Sequence, residues 1–183
     1  MSGLRRFVRL LLWLAALIAA LVALGFWSGI GPPPTPPAER VPLTGQVDLI
    51  LVEKAARRLT VFRNGERLRT YPIALGFSPV GDKMRQGDGK TPEGRFRIDR
   101  RNDQSRFHLS LGLDYPQAED RARAAAGGFD AGGDIMIHGQ PNAFFGKATL
   151  TRDWTAGCIA LADADIEELW RIARIGTEVE IRP

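Results

Sequence analysis

Arg58-Leu59-Thr60-Val61-Phe62-Arg63-Asn64-Gly65-Glu66-Arg67-Leu68-Arg69-Thr70-Tyr71-Pro72 is the stretch that sets the fold class. Two runs rich in β-branched, aromatic and alternating apolar residues flank Asn64-Gly65. Asn-Gly is the strongest short hairpin signal, because both residues tolerate the positive φ that a tight turn between twisted strands demands. Strands are therefore expected over 58–63 and 66–75. A hairpin is marginal alone and must find further strands. The sequence supplies candidates at 47–52, 94–99, 106–111, 134–138, 158–161 and 178–181, separated by Gly, Pro and Asp clusters.

Helical patterning is scarce. Residues 118–126 are helical by composition and end at Gly127-Gly128. Over 164–175, Ile166, Leu169, Trp170 and Ala173 recur at helical spacing, with Asp163 expected as N-cap and Gly176 as terminator. The reading is a mainly β domain, sandwich or barrel in form, with one or two short helices, spanning 43–183.

Outward toward the N-terminus the chemistry changes. Residues 10–30 carry no charge, from Leu10 through Trp27 and on to Ile30, and the run is long enough to span a bilayer. Arg5, Arg6 and Arg9 precede it, so 1–9 is expected to stay cytoplasmic and everything after it to be exported. The segment is read as a transmembrane anchor, with a cleaved signal peptide as the alternative. Gly31-Pro32-Pro33-Pro34-Thr35-Pro36-Pro37 opens a Pro-rich linker over 31–42, an extended spacer rather than part of a core.

The chain of 183 residues has 25 Lys and Arg against 21 Asp and Glu, a net charge of +4. Four of the basic residues fall in the first forty against Glu39 alone, which leaves 21 basic and 20 acidic residues in the domain. A near-neutral domain is no electrostatic partner for nucleic acid, and none is expected. One cysteine forms no internal disulfide, yet an exported chain holds it in an oxidising compartment, where an idle thiol is a liability.

That thiol is Cys158, in Asp153-Trp154-Thr155-Ala156-Gly157-Cys158-Ile159-Ala160-Leu161. Upstream lies Asp134-Ile135-Met136-Ile137-His138-Gly139-Gln140-Pro141-Asn142. Each half places a reactive side chain beside a glycine at the edge of a strand. A nucleophilic cysteine needs a neighbouring imidazole or other positive environment to hold it as thiolate, and His138 is the better placed of the two histidines. Gly157 permits a sharp turn that exposes the amides of Gly157 and Cys158 as oxyanion donors.

The pattern Ile-His-Gly, loop, Thr-x-Gly-Cys-Ile, with 20 positions from His138 to Cys158, resembles the YkuD-type L,D-transpeptidase catalytic domain. The resemblance extends through 47–75, similar to the family's opening hairpin, and through Thr91-Pro92-Glu93-Gly94. It implies a β-sandwich-like fold with Cys158 as nucleophile and His138 as general base. It also implies that the Gly139 carbonyl orients the imidazole and that the amides around Gly157 form the oxyanion hole. The implied reaction is acyl transfer on peptidoglycan stem peptides, with a thioester on Cys158 resolved by an amine of a second stem or by water. No metal or organic cofactor is needed for it. Ala156 and Ala160 depart from the family's commonest residues at those positions.

Other residues are weighed as contributors to a substrate site: Thr155, Ala156, His108, Trp154 and Lys90. Gly89-Lys90-Thr91 lacks the upstream glycine of a phosphate loop, since Met84 stands there. Arg100-Arg101 and Arg121-x-Arg123 read as solvated surface. Two competing readings are an anchored cell-wall-binding β module without catalysis and a sortase-like transpeptidase. Against the latter, Thr155-Ala156-Gly157-Cys158 lacks the Thr-Leu-x-Thr-Cys form.

Overall fold

The computed structural model describes residues 13–20, 40–144 and 149–183. Two compact units divide at Val41 and Pro42. The first contributes a helix over 13–20, α1, with Trp13, Leu14, Leu17 and Ile18 exposed. Most of the expected 10–30 anchor, with the 1–9 flank and nearly all of the 31–42 linker, lies outside the described residues. Among the described residues no helix is long and apolar enough to cross a membrane.

The second unit is one eight-stranded sheet. Its strands are β1 (Leu49–Glu53), β2 (Arg58–Arg63), β3 (Glu66–Pro72), β4 (Gly94–Ser105), β5 (His108–Leu113), β6 (Met136–His138), β7 (Ile159–Ala160) and β8 (Glu178–Arg182). They follow the order β3-β2-β1-β8-β4-β5-β6-β7. The hairpin forms as the Asn-Gly signal requires, with Asn64 and Gly65 at φ 50° and 79°. The expected 94–99 strand runs on to Ser105. Gly94–Arg97 pairs with β8, whereas the part from Ile98 pairs with β5 across two register shifts. Such irregularities bend a strand, and here they let β4 carry the sheet round a corner.

The sheet then closes on itself. Past the end of β3, Ala74 exchanges backbone hydrogen bonds with Ala160 of β7 at 2.9 and 2.8 Å, and Gly76 bridges to Thr155. The two edge strands thus protect each other, and the domain is barrel-like. Ile50, Leu59, Tyr71, Leu75, Ile98, Leu111, Ile137 and Ile159 fill its interior, each at most 1% exposed.

Helices α2 (Ala118–Ala126) and α3 (Asp163–Ile172) complete the domain. Two details of α3 correct the sequence reading. Asp163 is its first helical residue rather than the N-cap, which is Ala162; the Asp163 carboxylate instead accepts the Gln140 amide at 2.8 Å. The helix also stops at Ile172, short of Gly176. Arg101 donates to the carbonyls of Ala173 and Trp170 at 3.0 and 2.9 Å and stacks on the Trp170 ring at 3.9 Å. A guanidinium here satisfies the helix's C-terminal carbonyls and complements its dipole, so Arg101 is no idle surface charge.

Glu168 fastens α3 to β3. Its carboxylate accepts Arg69 at 2.6 Å on both oxygens, the Tyr71 hydroxyl at 2.8 Å and the Leu43 amide at 2.9 Å. Burial pushes this carboxyl up, but those donors outweigh it and hold it below its ordinary value. Truncation leaves a fully buried tyrosine hydroxyl and a mostly buried guanidinium without this acceptor. Glu168→Ala is expected to destabilise the domain by about 2–4 kcal/mol, read as a lower urea midpoint at unchanged m-value.

Candidate active site

His138 ends β6 and Cys158 stands just before β7. These strands are parallel, with Ile137 opposite Ile159 and His138 opposite Ala160. The thiol therefore lies against the chain entering β6, where Sγ donates to the Asp134 carbonyl at 3.4 Å, and the imidazole emerges further along the same strand. His138 is 2% exposed. Its Nδ1 lies 2.7 Å from the Gly139 carbonyl, which only accepts, so Nδ1 carries the proton and Nε2 keeps its lone pair. Phe107 lies tilted against the ring at 4.6 Å and Trp154 meets it edge-on at 5.6 Å. The imidazole is thus held in one orientation by a hydrogen bond and two aromatic neighbours.

Burial works against a resting thiolate–imidazolium pair, the form expected from the sequence. Burial lowers the affinity of the imidazole for a second proton, although the Gly139 carbonyl works the other way. Burial also pushes the Cys158 thiol up. A bond from the Met136 amide and the charges of Lys83 and Arg100 oppose the rise, while Asp134 adds to it. Both shifts have one cause: a nearly enclosed site disfavours either charged form.

The loop before Cys158 is braced from within. The Thr155 hydroxyl donates to the Cys158 carbonyl at 2.7 Å and accepts the Gly157 amide at 3.1 Å. Of the two amides expected as oxyanion donors, that of Gly157 thus already has an acceptor. Gly157 sits at φ +140°, and a Cβ there would lie 2.7 Å from the Lys90 carbonyl. Gly76 faces it: a Cβ on Gly76 would come within 2.1 Å of the Gly89 carbonyl and 3.1 Å of the Gly157 Cα. Backbones pass here too closely for side chains. Asp153 secures the start of the loop, accepting the Leu75 amide at 2.9 Å and the Arg57 guanidinium at 2.7 to 3.1 Å.

A pocket of about 210 Å³ opens at Cys158. It is lined by Lys83, Gln86 and Gly87 from one loop, by residues 132–135, and by Ala156. Of the weighed substrate residues, Ala156 alone shares this pocket. Thr155 is buried in the loop bracing, and Trp154 packs on His138, its buried indole N–H without a hydrogen-bond partner. His108 is directed elsewhere: its ring meets Glu167 at 2.8 Å and lines a separate recess with Asp103, Gln104, Ser105 and Asn142. The Lys90 ammonium points toward Gly81, and the lysine at the pocket is Lys83. Neither Lys83 nor Phe107 belongs to a motif that sequence reading would single out.

A barrel-like β domain with a lone thiol and a tautomer-locked imidazole on adjoining parallel strands is the setting in which the comparisons fall. The chain belongs to the YkuD family, the L,D-transpeptidase catalytic domain, whose family model matches residues 47–181. It is 29% identical over 135 residues to YafK of Escherichia coli (strain K12), named for the same family, covering 70% of this chain and 48% of that protein. Among solved structures it is similar to the helical cell shape determining protein Pgp2 of Campylobacter jejuni, at 25% identity and a TM-score of 0.59, covering 80% of this chain and 52% of that one. It is similar also to Bd1075 of Bdellovibrio bacteriovorus, at 26% identity and a TM-score of 0.54, covering 78% and 51%. The chain thus spans about half the length of these relatives. The family assignment displaces the sortase-like reading.

Two outcomes test the geometry. Alkylation of Cys158 by iodoacetamide is expected to keep accelerating as pH rises past about 8.5, the value of a free thiol. A rate that levels off below that pH would reveal a thiolate held at rest. Gly157→Ala is expected to lower stability by about 2 kcal/mol or more in thermal denaturation, because the added methyl meets backbone on both counts, φ and contact.

Proposed function

We propose that this chain is an exported L,D-transpeptidase acting on peptidoglycan stem peptides through Cys158 and His138. The observation that carries the reading is the Nδ1-locked imidazole of His138 on the strand beside the sole thiol. In a tetrapeptide donor the scissile bond joins the third residue's L-centre to a terminal D-alanine. As Sγ attacks that carbonyl, its proton passes to His138 Nε2, and the oxyanion is met by the Cys158 amide. The tetrahedral species collapses with cleavage of the C–N bond, the imidazolium gives its proton to the departing amine, and D-alanine leaves a thioester behind. An incoming amine then surrenders a proton to His138 and displaces the thiol, forming a 3→3 cross-link. Water in its place gives the tripeptide. Burial that disfavours the charged form of either group suits this sequence, in which the proton moves as the sulfur attacks.

The uncharged 10–30 run, behind three arginines, would hold the domain at the outer face of the cytoplasmic membrane. Pgp2 is named for helical cell shape, and a role in shaping the wall is part of the same proposal. Mass spectrometry of the full chain with disaccharide tetrapeptides is the direct test. Dimer or tripeptide is expected, with a thioester adduct on Cys158, and Cys158→Ala and His138→Ala should each lower turnover by at least about a hundredfold. A folded chain that yields neither product nor adduct would return the protein to the class of non-catalytic wall-binding modules.

A further inference from the structure

Lys83 lines the same pocket as Cys158, yet the acyl-transfer steps make no use of it. The residue is 3% exposed. Its ammonium donates to Asp88 Oδ1 at 2.9 Å and to the Arg85 carbonyl at 3.1 Å. An ammonium has three donors, and these bonds occupy two.

Asp88 is a fixed anion. Beyond Lys83, its oxygens accept the amides of Met84, Arg85 and Lys90 at 2.8, 3.1 and 3.0 Å. Burial pushes this carboxyl up, but the ammonium and the three amides overcome that and hold it at about 2. It therefore stays ionised beside the buried Lys83 side chain. With three backbone amides it also holds the 83–90 loop without help from Lys83.

The other charged residue lining the pocket is Asp134, whose exposed carboxylate is already paired with Arg100 at 3.0 Å. Gly87, Gly132, Gly133 and Ala156 contribute little bulk, so the space beside the thiol is small, and Lys83 is the cationic residue among those that line it.

We propose that Lys83 determines specificity in this pocket by donating its third N–H to a carboxylate of the donor peptide, carried next to the scissile carbonyl. The proposal rests on the reading of Cys158 as a nucleophile toward stem peptides. Two sources present that chemistry: the C-terminal α-carboxylate of the departing residue, and the carboxylate ending a diaminopimelate side chain in the third position.

The test compares the full chain with Lys83→Met on three donors: the diaminopimelate tetrapeptide, its C-terminal amide, and the tetrapeptide with lysine third. For the unaltered chain, removing the recognised carboxylate is expected to raise KM about tenfold or more, the worth of a hydrogen bond between charged groups. The donor that suffers identifies the source. In Lys83→Met the parent donor should lose the same factor, with no further loss when that carboxylate is absent, and Lys83→Arg should restore part of the discrimination. A variant that handles all three donors less well by one common factor overturns the proposal, as does an unaltered chain that treats them alike. Calorimetry on Cys158→Ala, which keeps Lys83, decides the matter if Lys83→Met fails to fold: equal affinity for all three donors, or none, is again fatal. An unaltered chain that binds in a carboxylate-dependent way but turns over no donor would count against the Cys158 reading alone.

Discussion

Everything at the site depends on the pair of backbone hydrogen bonds between Ala74 and Ala160. They turn an open sheet with two exposed edges into a closed one, and they do so one turn of chain from the nucleophile. Closure forces the segments at Gly76, Gly89 and Gly157 into contact at a separation that excludes any Cβ. The loop before Cys158 has no freedom left: Thr155 braces it from inside, Asp153 and Arg57 from behind, and the Lys90 carbonyl from above Gly157. A reactive side chain on a loop is thereby given the rigidity of a strand, which general-base chemistry at hydrogen-bond range requires.

The parts of the fold legible in the sequence are those written locally. Asn64-Gly65 between alternating runs specifies a hairpin by short-range sterics, and α2 appears at the bounds its composition and trailing glycines indicate. The second half of β4 is silent because Arg100-Arg101-Asn102-Asp103-Gln104 is polar throughout; it is a strand because β5 supplies backbone partners, not because its side chains alternate. Strand β7 is two residues long and owes its existence to tertiary pairing. Helix α3 ends early because Arg101, distant in sequence, claims its last carbonyls.

The site divides in the same way. Cys158, His138 and Gly139 were readable from chemistry and from a family motif. Lys83, Phe107 and the Asp88 hub were not, since each acts through a contact that no spacing announces. Lys90 drew attention by standing beside Thr91-Pro92, yet its contribution is a carbonyl, while the cation at the pocket comes from seven positions earlier. Electrostatics was the least readable property of all. A cysteine and a histidine on neighbouring segments invite the picture of an ion pair, and burial works against it.

The burial around the Cys158 thiol has a further meaning for durability. Thiolates, far more readily than thiols, attack peroxides and disulfides, and a cysteine without a resolving partner is the more exposed to irreversible over-oxidation. Burial that raises the Cys158 thiol thus shields it chemically from oxidants. A pocket wall that disfavours the thiolate is, in this sense, an antioxidant for the sulfur it surrounds.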